Sequence, residues 1–309
     1  MGAAKQPRKR DVSMSTTESA SLRYATLEDW SSSDLVAGIL EGQYAAIAAV
    51  QAASAPIAEA IDRGAEHLAR GGRLIYLGAG TSGRIATQDA SELPPTFNWP
   101  YERAITLMAG GKDAVFHAAE GAEDSEQLAI DGLDSINVSE NDVIIGLAAS
   151  GRTPYAIGGL VHARAKGALT IGIFNNRGGR LGEVADISIL IETGIEVLSG
   201  STRMKAGTAQ KAALNCISTG VMIRLGFVYR GLMVEMRPTN VKLQDRAVKM
   251  VATLADAEYD VAKSALDTAE GSIKVATAML ILGLDRDAAQ QRLSAAGGNL
   301  RAALQGPKD

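Results

Sequence analysis

Apolar residues recur at helical spacing from Asp34, placed as an N-cap, through Leu35, Ile39, Ala46 and Ile47. A second helical pattern runs from Pro56 to Arg70, with Ile57, Ile61 and Leu68 on one face. The period then shortens. Arg73 to Leu77, Ala104 to Met108, Val143 to Leu147, Leu169 to Phe174 and Ile187 to Ile191 are brief apolar runs separated by Gly/Ala-rich helical stretches. That rhythm predicts βαβ units and a five-stranded parallel sheet covered by helices on both faces. From Ser201 onward the pattern predicts helices alone: Met204 to Leu225, Val241 to Ala265, and a three-helix appendage over Gly271 to Leu304 that turns at Gly283 and Gly297-Gly298. No internal repeat is present. The expected organisation is a polar N-terminal segment (1–33), a sheet domain (34–240) and a C-terminal helical region (241–309).

Composition narrows the class. Of 309 residues, 46% are apolar and 21% charged, which is ordinary globular usage and excludes a disordered or fibrous chain. A net charge of -4 argues against a nucleic-acid footprint. The single cysteine, Cys216, excludes a disulfide scaffold, and its apolar neighbours Leu214 and Ile217 predict a buried packing residue. No apolar stretch long enough to span a membrane is expected, and residues 1–20 lack a signal-peptide core. The cluster Lys5, Arg8, Lys9 and Arg10 is read as a solvated tail. A soluble, cytoplasmic protein is expected.

Three loops carry the candidate chemistry. Gly78-Ala79-Gly80-Thr81-Ser82-Gly83-Arg84 follows the first strand and satisfies G-x-G-x-x-G as a string. A dinucleotide site would need a carboxylate at the end of the second strand, where Met108-Ala109-Gly110-Gly111-Lys112 stands instead. Thr81 and Ser82 add hydroxyl donors to a helix start, a pocket suited to a compact phosphate monoester. Ala149-Ser150-Gly151-Arg152-Thr153-Pro154 repeats the arrangement after the third strand, with Pro154 in the first helical turn. Ser199-Gly200-Ser201-Thr202-Arg203-Met204-Lys205 leads into the long helix. The predicted phosphate- and substrate-binding residues are Gly80, Thr81, Ser82, Gly83, Ser150, Gly151, Arg152, Thr153, Ser201, Thr202 and Lys205. Lys205 is expected to meet a carboxylate or phosphate, and one of Arg84 and Arg152 is expected to contact the ligand.

This loop pair on a parallel sheet resembles the sugar isomerase (SIS) domain, which binds phosphosugars without a nucleotide. Longer strings resemble the N-acetylmuramic acid 6-phosphate etherase family: the first loop, Asp89-Ala90-Ser91-Glu92, Glu120-Gly121-Ala122-Glu123-Asp124, Ala148 to Tyr155, Gly200 to Gln210 and Thr239-Asn240. The likeness runs from about residue 34 to the end. Departures lie at Ile85-Ala86-Thr87-Gln88, at Thr17-Glu18-Ser19-Ala20 and at Arg237-Pro238.

The resemblance implies an α/β fold of the SIS type with a C-terminal helical appendage. It also implies cleavage of the lactyl ether at C3 of N-acetylmuramic acid 6-phosphate. By resemblance Glu92 and Glu120 are the catalytic pair. Glu92 is assigned to the ether oxygen and Glu120 to the C2 proton, with the order open. His117, three residues before Glu120, would share a helical face with it. No metal or redox cofactor is required, neither nucleic acid nor membrane is a partner, and a homodimer with the site near the subunit interface is expected. A phosphosugar-sensing regulator without catalysis and an aldose–ketose isomerase are the competing readings.

Overall fold

Runs of Val, Ile and Leu bounded by glycines form strands because β-branched side chains pack well on a pleated surface buried on both sides. In the computed structural model, which describes residues 15–305, they are β1 (Leu74–Gly78), β2 (Ala104–Met108), β3 (Val143–Ala148), β4 (Leu169–Phe174) and β5 (Ile187–Leu190). All pair in parallel, in the order β2-β1-β3-β4-β5. The basic cluster at residues 5–10 lies outside the described residues.

Alternation along the strands divides the core. Leu74, Tyr76, Val143, Ile145, Leu147, Ile171, Ile173, Ile187 and Ile189 point to one face. There they meet α1 (Ser32–Ala52), α2 (Ser54–Ala69), α3 (Gly80–Phe97) and α7 (Lys205–Arg224). Ile75, Leu77 and Ile144 point to the other, under α4 (Glu126–Ser135), α5 (Pro154–Ala165) and α6 (Leu181–Val184). A separate apolar core begins at Val234 and is built from α8 (Val241–Ala255), α9 (Tyr259–Thr268), α10 (Ile273–Leu282), α11 (Arg286–Ala295) and α12 (Leu300–Gln305).

Several expectations are corrected. The first helix is capped by Ser31, whose Oγ accepts from the Asp34 N–H at 3.2 Å, so Asp34 is already inside it. That helix is long and apolar enough in composition to cross a membrane, because its two acidic residues are isolated among Ala, Gly and aliphatic residues. Here Gly38, Gly42, Ala46 and Val50 are buried on one side of it, Gly38 under Trp30 and Gly42 against Lys205 at the start of α7. A short antiparallel hairpin, β6 (Val228–Tyr229) with β7 (Leu232–Met233), follows α7 where only helices were expected. Val241 to Ala265 is two helices rather than one, since Asp256 adopts φ 50 and ends α8. Cys216 is exposed: α7 buries Ala213, Leu214, Ile217, Ser218 and Val221, and Cys216 falls on the opposite side of the helix.

Candidate active site

The chain leaves β1 toward β2 on one side and returns to β3 on the other, so β1 and β3 are neighbours with Gly78 paired to Leu147. The loops after these two strands therefore leave the sheet side by side at its carboxyl edge. This is the topological switch point where open α/β sheets bind ligands.

The first loop turns directly into α3. Gly80 takes φ 52, and a Cβ on Gly83 would stand 2.8 Å from the Gly78 carbonyl oxygen, so only glycine lets helix and strand approach this closely. Ser82 and Gly83 are buried and Thr81 half-buried. The Gly83 amide bonds to the Ala79 carbonyl, whereas the amides ahead of it head the helix without intrahelical partners. In the second loop Gly151 takes φ 67 and the Ser150 Oγ accepts from the Arg152 amide at 3.1 Å. Thr153 precedes α5 with no capping bond from its side chain, leaving that hydroxyl available to a ligand, and Arg152 is exposed beside it.

The third loop differs. Both carboxylate oxygens of Glu196, fully buried, accept from the first amides of α7, Lys205 N–H at 3.0 Å and Ala206 N–H at 2.9 Å. The Gly207 amide bonds to the Thr202 carbonyl at 2.8 Å. This helix start is already filled by the protein's own anion, so Ser201, Thr202 and Lys205 can offer a ligand side chains only. Lys205 is buried at 8% exposure and forms no salt bridge among the described residues. Burial pushes its ammonium pKa down, and the charges of Glu196 and Glu41 oppose that shift. Glu196 was invisible to motif reading, because nothing in Thr193-Gly194-Ile195-Glu196 marks a cap for a helix nine residues on.

Glu92 is exposed on α3, ten residues past Ser82, which sets it about 15 Å further along the helix axis. One turn before it, Asp89 is buried and accepts from Tyr76 Oη at 2.8 Å, Ser218 Oγ at 3.2 Å and Asn215 Nδ2 at 3.3 Å. These bonds tie α3 to β1 and α7. Desolvation nevertheless raises the Asp89 pKa above the ordinary carboxylate value, the three hydrogen bonds only partly opposing it.

Glu120 is exposed in the segment between β2 and α4. Two contacts fix that segment beside the first loop. A Cβ on Gly110 would stand 2.3 Å from that of Ala119, so the chain folds back tightly onto the end of β2. Arg84 Nε donates to the Val115 carbonyl at 2.8 Å and its Nη2 to the Ala114 carbonyl at 3.0 Å. The Arg84 guanidinium is thus engaged by backbone, which leaves Arg152 as the freer of the two arginines. His117 and Glu120 do not share a helical face, because the helical turn here is limited to Lys112–Val115. His162 bonds to Asp134 at 2.8 Å on α5, and His67 lies on α2. A cleft of about 910 Å³, lined in part by Arg237, Thr239, Tyr259 and Lys263, shares no residue with these loops.

The fold defines a SIS-type domain. Residues 118–219 match the SIS domain model, and residues 56–164 match the model of the glucokinase regulatory protein N-terminal SIS domain. N-acetylmuramic acid 6-phosphate etherase of Deinococcus radiodurans is 48% identical over 93% of this chain and 94% of its own length. The enzyme of that name from Cronobacter sakazakii is 52% identical over 81% of this chain and 84% of its own. That of Mycolicibacterium smegmatis is 46% identical over 95% and 99%. The chain belongs to the N-acetylmuramic acid 6-phosphate etherase family.

Proposed function

We propose that this protein cleaves the lactyl ether of N-acetylmuramic acid 6-phosphate, with water, to N-acetylglucosamine 6-phosphate and D-lactate. The observation that carries the reading is the near full-length match to etherases at 45–52% identity. Both segments bearing the carboxylates are joined to the first loop, Glu92 by α3 and Glu120 through Arg84.

An alkyl ether is a poor leaving group, so the reaction runs through the open-chain sugar, whose C1 aldehyde acidifies the C2 proton. A base takes that proton, the C2–H electron pair becomes the C2–C3 double bond, and the C3–O bond breaks. An acid protonates the departing lactate oxygen. Water then adds at C3 and a proton returns to C2. Glu120 is the base and Glu92 the acid in this assignment. The phosphate sits on the helix starts of α3 and α5, held by Gly80, Thr81, Ser82, Gly83, Ser150, Gly151 and Thr153, with Arg152 as a nearby cation. Anchoring at this end converts remote binding into correct placement of C2 and C3. Ser201, Thr202 and Lys205 face the lactyl side, where the ammonium of Lys205 pairs with its carboxylate.

The working unit in this reading is a homodimer with the site near the interface. Val36, Leu40, Tyr44 and Ile47 recur every three to four residues along α1 and are 57%, 48%, 76% and 50% exposed, an apolar stripe that a second copy would cover.

Lactate release from N-acetylmuramic acid 6-phosphate is the deciding assay. Phosphosugar binding without lactate would favour the regulator, a reading supported by the match to the regulatory protein's SIS domain. Interconversion of aldose and ketose phosphates would favour an isomerase.

A further inference from the structure

Thr17 is fully buried although it stands in a polar stretch well ahead of the first strand. Its N–H donates to Asn176 Oδ1 at 3.2 Å, and its Oγ1 accepts from Asn176 Nδ2 at 3.0 Å. Its carbonyl accepts from the Gly200 amide at 2.9 Å. Next to it, the Glu18 carbonyl accepts from Ser199 Oγ at 2.7 Å. Asn176 is itself 1% exposed, and its Nδ2 also donates to the Ala149 carbonyl at 2.8 Å. The amide of Asn175 reaches that same carbonyl at 3.0 Å.

The single turn Thr16–Glu18 therefore forms a cross-piece at the carboxyl edge of the sheet. On one side it holds the loop after β3 through Asn176, and on the other it holds the loop that enters α7. Here the backbone N–H and the hydroxyl of one buried residue are satisfied by Asn176, in the turn after β4, and its carbonyl by the loop that enters α7. Asn176 is matched to it, donor to acceptor and acceptor to donor, so removal of the Thr17 hydroxyl strips one acceptor from a buried amide.

We propose that Thr17 is a positioning residue for phosphosugar binding. Docking of residues 16–18 holds the Ala149–Thr153 and Ser199–Lys205 loops in their binding arrangement, and ligand binding and docking are coupled. The proposal rests on the reading of those loops as the sugar-phosphate site. By linkage, whatever the docked segment adds to phosphosugar affinity the phosphosugar must return as tighter docking.

The test uses full-length protein with Thr17→Val, which keeps shape and loses the hydroxyl, and Thr17→Ser, which keeps the hydroxyl. In Thr17→Val the KM for lactate release should rise about tenfold with kcat little changed, and Thr17→Ser should restore KM. Without ligand, hydrogen exchange in Thr17→Val should quicken in residues 149–153 and 196–205 and stay unchanged in α10 to α12. In wild type, N-acetylglucosamine 6-phosphate should slow exchange at residues 15–19. An unchanged KM in Thr17→Val, exchange that quickens evenly over the whole chain, or a ligand that leaves residues 15–19 unaffected would each overturn the proposal. Should Thr17→Val fail to fold, the Thr17→Ser kinetics and the ligand protection in wild type decide it. If wild type binds no phosphosugar, the functional reading falls, and the ligand-free exchange still decides whether Thr17 holds the two loops.

Discussion

Arg84 Nε lies 2.8 Å from the carbonyl oxygen of Val115, and this bond joins the helix that carries Glu92 to the segment that carries Glu120. The residue sits in the loop after β1, and its guanidinium faces the backbone carbonyls of Ala114 and Val115. Its side chain ties the start of α3 to the backbone of these two residues.

Replacing Arg84 with Ala should accordingly lower kcat by about 10²-fold, the scale of a displacement near 1 Å at a reacting group. Affinity for N-acetylglucosamine 6-phosphate should change little, because the α3 amides and hydroxyls remain. Added guanidinium should restore part of the rate. A variant with normal kcat would show that the clamp has no bearing on the chemistry.

Glu92→Gln and Glu120→Gln keep size and polarity and remove proton transfer, so lactate release should fall roughly 10²–10⁴-fold in each. Binding of the 6-phosphate sugar should persist in both, whereas Ser82→Ala should weaken it by a factor of about five, one hydrogen bond's worth. With wild type in oxygen-18 water, label should enter the product sugar at C3 and not the lactate hydroxyl, and solvent deuterium should appear at C2. Near-normal turnover in either Gln variant removes that residue from the pair, and label in lactate overturns the elimination route.

Asp89 offers a pH signature. Its pKa in the folded chain is raised above the ordinary value of 3.8, so the native state holds this proton more tightly than the unfolded chain does. The stability linked to it is fully present below the unfolded pKa and is lost as pH rises through the folded one. Asp89→Asn has no such titration. The stability advantage of wild type over this variant should be greatest in acid and shrink with rising pH until Asp89 is ionised, then stay level. Urea unfolding midpoints across that range measure it, and an advantage that grows with pH would contradict the assignment.

The apolar stripe on α1 predicts assembly. Tyr44→Glu, at 76% exposure, leaves the core of the subunit untouched and should convert dimer to monomer in sedimentation. A wild-type monomer, or an undisturbed Tyr44→Glu dimer, would place the interface elsewhere or remove it. Cys216 and Ile223 on the outer side of α7 give a second check, since a thiol reagent should reach Cys216 in the native protein unless that side is covered by the partner.

What could be read from the sequence was local. Strand runs such as Ala104–Met108 and Leu169–Phe174 and the long helix Lys205–Arg224 follow from side-chain periodicity, which neighbouring residues set among themselves. The glycine content of the loops after β1 and β3 follows from the backbone shapes those turns require. Where periodicity misled, a local cause was outweighed: Cys216 sits in an apolar run, but which side of α7 meets the sheet is set by packing. Only the tertiary structure decided the strand order β2-β1-β3-β4-β5, because pairing partners far apart in sequence leave no periodic trace. That order makes the two loops neighbours. It likewise took the folded chain to put Glu196 on the first amides of α7, Arg84 on the carbonyls of Ala114 and Val115, and Thr17 against Asn176. Each of these links joins a polar side chain to a group on another element, and its strength comes from burial that exists only once the chain has closed around it.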